Sequence, residues 1–328
     1  MTTARTRRTG VAAPNPTPSP PSVRWLPARV QSAAWLRGLA LASVVANVVI
    51  VVTGGAVRLT DSGLGCPTWP RCTDSSLTPT KQYAIHGVIE FTNRQLTFVL
   101  AVVAVATWLV AMAVRTERML ATVAALGIPA QAVLGGLTVL THLNPWLVAL
   151  HFLLSMAIIA VTFWLWWRLR DDPPAADAPP AAVWLTRVTV AVAAGTLVIG
   201  TVVTGSGPHA GDKDASGKVH RTGLQVSSVA QLHADAVMVL IGLTVGLVAL
   251  AYALRLEMRH ALTILLGVEL AQGVIGYTQY FLHVPPLLVA VHMLGACLVW
   301  LAALRALHSV GSGQRGTRPV DDLRPATG

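Results

Sequence analysis

Charge is what this sequence has least of. Only 12% of its 328 residues are Asp, Glu, Lys or Arg, about half of the ~25% that a soluble globular domain carries. So little charge excludes an ordinary water-soluble enzyme. Cysteine is scarce as well, with three in the chain. Cys66 and Cys72 have no second Cys/His pair nearby to complete a zinc site. The N-terminal stretch, rich in Pro, Thr and Arg, contains no apolar run of its own. That excludes a cleaved signal peptide and reads as a disordered arm over 1–32. The Gly-, Arg- and Pro-rich tail, 308–328, reads the same way.

What the sequence does have is apolar runs of about 20 residues, the length a helix needs to cross a hydrocarbon core about 30 Å thick. They fall at about 33–57, 84–114, 118–140, 146–169, 184–205, 229–254, 260–280 and 286–307. The expected fold class is all-α: a polytopic membrane protein with eight transmembrane helices. Lys and Arg sort between alternate connections. One side holds the arginines of both termini with Arg115, Arg118, Arg168, Arg170, Arg255 and Arg259; the other holds only Arg58, Arg71, Lys81, Lys213, Lys218 and Arg221. By the positive-inside rule both termini are cytoplasmic, in a plasma-membrane protein. The net charge of +10 then reflects topology, and nucleic acid is not an expected partner; membrane lipid is. A linker at 171–183, opening DDPPAADAPPAA, separates two halves, 33–170 and 184–307.

The stretch GGAVRLTDSGLGCPTWPRC, Gly54–Cys72, lies on the arginine-poor, outward side, where disulfides persist. Cys66 and Cys72 enclose five residues, two of them proline. A Cys66–Cys72 disulfide is expected, with free thiols as the alternative. Cys297, inside the last span, reads as buried packing.

The halves repeat. Gln131, Gly135, His142 and His151 recur as Gln272, Gly276, His283 and His292, all at one constant offset and without a gap, and VVTGG at Val51 echoes VVTGS at Val202. Four spans followed by four more in the same orientation read as two tandem four-helix bundles related by internal duplication. An offset shorter by a single position pairs Asn93 with His233.

Ionisable residues inside a membrane are expensive and mark function by default. His151, His233 and His292 are expected at one depth, in the outer leaflet. Histidines facing each other from two helices suit haem, whose iron takes an imidazole on each face, and His233 with His292 forms such a pair. The alternative is histidines hydrogen-bonded to neighbouring helices. The first half differs: AIHGVIEFTNRQL sets His86, Glu90 and Asn93 on one face of a helix with Arg94 beside it. Glu90 is either a structural partner of Arg94 or a group for acid–base work or for stabilising positive charge. With Asn93 at the ligand position, His151 is the clear ligand of this half and His86 a substitute. A site short of one ligand suits a haem that comes and goes. His142 and His283 read either as contacts to haem propionates or transient iron ligands, or as solvated loop residues. Arg58 and Arg94 are candidates for neutralising propionates. His209 and His220 read as plain loop residues, and His260 and His308 as incidental. Gly135, Gly136 and Gly276 allow close helix approach or room beside a flat macrocycle.

The run TGGAVRLTDSGLGCPTWPRC, the IEFTNR of the second span and the repeated Gln-x3-Gly…His…Pro…His blocks resemble haem A synthase of the bacterial type, over about Leu36 to Leu307. The resemblance implies oxidation of the C8 methyl of haem O to a formyl group by successive hydroxylations. It implies haem b as cofactor, on His233 and His292, and substrate haem on His151 in the N-terminal half. Glu90 matches the catalytic glutamate, and Cys66 and Cys72 match an outer-loop pair that is redox-active in some members. The family commonly has His where this chain has Asn93. Haem O synthase and an electron-transfer protein are the implied partners. Two other classes explain part of the pattern. A di-haem electron carrier accounts for the histidines but not for Glu90. A haem transporter predicts broken helices at the midplane, whereas the polar residues here cluster near the outer surface.

Overall fold

The computed structural model describes residues 32–80, 84–170, 177–209, 211–213 and 217–310. The terminal arm to residue 31, Lys81, the linker residues 171–176 and the tail from 311 lie outside the described residues. Eight α-helices carry the described chain: α1 Ala33–Leu59, α2 Ala84–Val114, α3 Arg118–Leu140, α4 Pro145–Arg168, α5 Pro180–Ser206, α6 Val226–Ala253, α7 Arg259–Phe281 and α8 Pro286–His308. No β-strand occurs among the described residues. Each helix is long and apolar enough to cross a membrane; even the shortest, at 23 residues, extends about 35 Å at 1.5 Å per residue. The chain is a multi-pass membrane protein.

The helices start where backbone chemistry permits. Ser32 caps α1 by accepting from the Trp35 N–H, and Asn144 caps α4 by accepting from Trp146 N–H at 3.0 Å. Pro145, Pro180 and Pro286 open α4, α5 and α8, where a missing N–H costs nothing. This moves two predicted boundaries. Hydropathy begins the fifth span at 184 and the sixth at 229, but α5 starts at Pro180 and α6 at Val226. The apolar run marks what lies in lipid; the helix begins where its first turn can form. Pro129 lies within α3, as membrane helices tolerate.

Two pairs of helical connections share their geometry. Leaving α3, the N–H of Leu143 donates to the carbonyl of Thr138; leaving α7, the N–H of Val284 donates to that of Gln279. His142, Leu143, His283 and Val284 all have φ between 53° and 62°, a left-handed conformation that is costly for a β-branched residue such as Val284. After α2 the N–H of Thr116 donates to the carbonyl of Ala111, and after α6 that of Leu256 donates to Ala251. Arg115 and Arg255 hold positive φ there. This second pair of turns has the same offset as Asn93 and His233.

Helix α1 packs on α2, α2 on α3, α3 on α4, and α4 returns to α1; α5 to α8 close in the same order. The two groups meet through α1, α4, α5 and α8. Val51, Met156, Ile159 and Cys297 are buried in that seam with Phe152, Met293 and Trp300 packed against them, and Trp300 Nε1 donates to the Met156 carbonyl at 3.0 Å. Cys297 is buried and unbridged, as expected. Outward-facing apolar side chains such as Phe98, Val102, Leu126 and Leu287 are exposed, which a lipid environment covers. The α1–α2 connection carries a Cys66–Cys72 disulfide. The α3–α4, α5–α6 and α7–α8 connections gather at the same end of the bundle, referred to below as the disulfide end.

Candidate functional site

The three intramembrane histidines share a height. His151 and His292 each follow the opening proline of their helix by six residues, and His233 lies seven into α6, so each is about 10 Å from the helix end at the disulfide side. Each ring lies against a glycine of a neighbouring helix. A Cβ at Gly135 of α3 would stand 3.1 Å from Cε1 of His151, one at Gly200 of α5 3.1 Å from that of His233, and one at Gly276 of α7 3.3 Å from that of His292. Any larger residue would press on the imidazole. His233 on α6 and His292 on α8 stand at this shared depth in the second helix group. In all three rings Nδ1 is buried without a hydrogen-bond partner. Nδ1 therefore makes no bond between helices in any of the three, while His233 also meets the Thr196 backbone of α5. The backbone that carries two of them is pinned: Gln131 Nε2 donates to the His151 carbonyl at 3.1 Å and to Ser155 Oγ at 2.7 Å, and Gln272 Nε2 donates to the His292 carbonyl at 2.7 Å.

On α2 the predicted face is assembled, but each member is engaged. Asn93 is half-buried, and its Oδ1 accepts from Thr53 Oγ1 at 2.9 Å. Glu90 is 5% exposed. Its Oε2 accepts from the Cys66 N–H at 2.7 Å, and its Oε1 accepts from Arg94 Nε at 3.0 Å and from a terminal nitrogen of Arg94. Arg94 also donates to the carbonyls of Cys66, Thr68 and Arg71 at 2.8, 3.1 and 3.2 Å. The Glu90–Arg94 pair thus clamps the disulfide loop onto α2. The loop reaches on to α3, where the Trp69 indole fills the space a Cβ on Gly136 would take. His86 is exposed, pairs through Nδ1 with Ser62 Oγ at 3.0 Å, and is seven residues from Asn93, about 10 Å nearer the disulfide end. That is not the height a substitute ligand would need.

The arginines read as propionate partners are occupied with carbonyls. Arg94 serves the loop, and Arg58 donates to the carbonyls of His209 at 2.5 Å and Thr204 at 3.0 Å, joining the end of α1 to the α5–α6 connection. His209, read as a plain loop residue, donates in turn from Nε2 to the Val284 carbonyl at 2.8 Å. His142 is exposed and stacks on His220 with centroids 6.4 Å apart; His283 is exposed in the α7–α8 turn. The sequence reading passed over three features. The roles of Gln131 and Gln272 were available in the repeat itself. Gly200 had no repeat partner to draw notice. Glu269, a carboxyl within α7, is 2% exposed, and its position inside an apolar run was signal enough.

Residues 37–304 match the COX15-CtaA family, described as cytochrome oxidase assembly protein. The chain belongs to the COX15-CtaA family. It is also similar to proteins named haem A synthase: 34% identical over 141 residues to that of Lysinibacillus sphaericus, which covers 42% of this chain and 45% of the relative. With that of Geobacillus kaustophilus it shares 28% over 153 residues, 41% of this chain and 46% of the relative. With that of Bacillus licheniformis it shares 28% over 130 residues, 38% and 42%. The matched stretch spans less than half of each relative. Among the described residues of this COX15-CtaA chain no three His, Cys, Asp or Glu gather as a metal-ion cluster.

Proposed function

We propose that this chain is a haem A synthase, oxidising the C8 methyl of haem O to a formyl group by successive hydroxylations. One observation carries the reading. Both halves offer a glycine-backed histidine with an unpartnered buried Nδ1, but only the first sets its buried carboxylate, Glu90, near the disulfide end and under the disulfide loop. The membrane-family membership and the names of the relatives support it. The shared turns and the Gln131–His151 and Gln272–His292 contacts, at equivalent positions of the repeat, support an internal duplication. The matching turns at Arg115 and Arg255 support aligning Asn93 with His233.

His233 and His292 fit haem b, which when bound supplies one-electron transfer. The orphaned imidazole nitrogens and the glycines beside the rings support that fit. The chain's own residues do the rest. His151 holds the iron of the substrate, haem O, from α4. Asn93, held by Thr53, presents an amide in place of a second imidazole, so substrate is bound by one strong protein ligand and can leave as product. Glu90, oriented by Arg94 and the Cys66 N–H, is the proton-handling or charge-stabilising group beside the reacting methyl. The disulfide loop covers Glu90 and limits water there. The disulfide end is the outer face, on the arginine-poor side, in the plasma membrane. Haem O synthase is a fitting partner because substrate and product are both hydrophobic, and an electron-transfer protein completes the cycle.

The test is chromatography of haems extracted from a host that makes haem O and expresses this chain. Haem A is expected with the wild type, and absent with Glu90→Ala although haem b stays bound. Haem O left unconverted by folded, haem-loaded wild type would instead favour the electron carrier.

A further inference from the structure

One buried ionisable side chain is left over once the histidines and the Glu90–Arg94 clamp are assigned. Glu269 stands ten residues from Arg259 and twelve from Phe281 on α7, about 15 Å and 18 Å from the two helix ends, and so near the middle of the span. It is 2% exposed. Thr244 Oγ1 on α6 donates to its Oε1 at 3.0 Å, and Oε2 is buried without a partner. The helices packed on α7 are α6 and α8. Their titratable groups are His233, Asp235 and Tyr252 on α6, and His292, Cys297, Arg305 and His308 on α8; α7 itself adds Arg259, His260, Tyr277 and Tyr280. Among the described residues none of these hydrogen-bonds or ion-pairs with Glu269. An ionised carboxylate there would have one hydroxyl donor and no cation, which apolar surroundings strongly disfavour.

The same face of α7 continues toward the disulfide end as Gln272, Gly276 and Gln279, at steps of three, four and three, one stripe of a helix. Gln272 holds the His292 carbonyl, Gly276 backs the His292 ring, and Gln272 Oε1 and Gln279 Oε1 are both buried without partners. Three unpartnered acceptors therefore run from mid-span past His292 to the disulfide end. Helix α3 makes the same Gln and Gly contacts to His151, but at the repeat positions of Glu269 and Gln279 it has Ile128 and Thr138. Ile128 is buried beside Leu100 and Ala104. Gln131 Oε1 is likewise buried without a partner, so what belongs to the second half alone is the carboxyl of Glu269 and the amide of Gln279 at the two ends of the stripe.

We propose that Glu269 is a proton-exchanging site coupled to the cofactor of the C-terminal half. Glu269 takes one proton, along the Gln272–Gln279 stripe from the disulfide end, for each electron that a one-electron reductant delivers to the haem b held by His233 and His292. It returns the proton when that electron leaves. The proposal rests on the cofactor reading above.

Two measurements on the full chain, purified with its haem, test it. Dicyclohexylcarbodiimide reacts with protonated carboxyl groups in apolar surroundings. Peptide mass mapping should find its adduct on Glu269, in higher yield after dithionite reduction than in the oxidised protein. In mediated redox titrations the midpoint potential of the wild type should fall as pH rises through neutrality. Glu269→Gln keeps the shape and a partner for Thr244; it should retain the haem spectrum and lose most of that slope. An unlabelled Glu269 in both redox states, or a haem-loaded Glu269→Gln with the wild-type slope, overturns the proposal. Wild type purified without haem overturns the cofactor reading and the coupling with it.

Discussion

Arg94 is the side chain whose removal should change most at the disulfide end. It donates five hydrogen bonds: two to Glu90 Oε1 and one each to the carbonyls of Cys66, Thr68 and Arg71. In Arg94→Gln the shorter amide cannot span these acceptors, and Glu90 keeps only the Cys66 N–H. Removing one partner of a buried ion pair costs about 3–5 kcal/mol. The Arg94 side chain is 21% exposed and that of Glu90 7%, so solvent relieves part of the loss and the lower value, about 3 kcal/mol, applies. At about 1.4 kcal/mol per factor of ten, opening of the loop away from α2 becomes more frequent by about a hundredfold.

Hydrogen–deuterium exchange of a peptide spanning residues 64–76 reads that opening, because the Cys66 amide is protected by Glu90 itself. Its exchange should accelerate by about two orders of magnitude, while amides of α2 below Arg94 stay protected. A second variant fixes the cause. In Arg94→Gln with Glu90→Gln no charge is stranded, so the double variant should exchange more slowly than Arg94→Gln alone. Exchange at Cys66 left within a few-fold of wild type in Arg94→Gln would refute the clamp and return Arg94 to the role of a free cation for propionates.

Three further outcomes follow from the packing. Gly276→Val puts a branched side chain where even a Cβ stands 3.3 Å from His292 Cε1; haem b per chain, read from the ratio of Soret to protein absorbance, should fall to a small fraction, whereas Gly267→Val, at a glycine with nothing within 4 Å, should leave it unchanged. Asn93→His supplies an imidazole where Thr53 now holds an amide, and should raise the haem content retained through purification from about one per chain toward two, by pyridine haemochrome assay. Trp300→Phe removes the hydrogen bond to the Met156 carbonyl between the two helix groups and should cost about 1 kcal/mol, seen as a lower thermal midpoint in detergent with the haem spectrum intact.

Much of the architecture was legible because the membrane imposes a simple rule on sequence. Spans, the common height of His151, His233 and His292 and the burial of Cys297 all follow from apolar length and position. The helix starts at Pro180 and Val226 did not, since hydropathy is blind to where a first turn can form. Charge and depth make Arg58 and Arg94 candidates for propionates, and in the structure they meet mostly main-chain carbonyls, at Thr204, His209, Cys66, Thr68 and Arg71. Carbonyl acceptors have no residue signature, so a loop folded over an arginine cannot be read from composition. Glu90 with Arg94 shows the other limit. Their spacing offered the ion pair as one of two readings, but not that the pair also grips a disulfide loop well upstream in the chain.

The two helix groups keep the same means of presenting a histidine and differ in what they set around it. Gln131 and Gln272 hold the His-bearing backbone, Gly135 and Gly276 clear one side of the ring, and the left-handed turns at His142–Leu143 and His283–Val284 set the height. Being shared, these residues cannot make the proposed difference between a group that stays and one that leaves. That falls to α2 and α6, where Asn93 stands against His233, and to α2 and α7, which carry the buried carboxyls Glu90 and Glu269. Glu90 lies under a loop closed by a disulfide and held through an arginine, at the end of the bundle. Glu269 lies at mid-span with no cation. On the proposed function, an imidazole opposite an imidazole would fix a group, and a carboxyl deep beneath it would answer changes in charge. An imidazole opposite an amide would let a group exchange, and a carboxylate near the surface would serve chemistry done on it. On the proposed function, the differences between the halves are therefore concentrated in the residues that would separate retention from turnover, which an electron carrier with two closed sites would have no reason to vary.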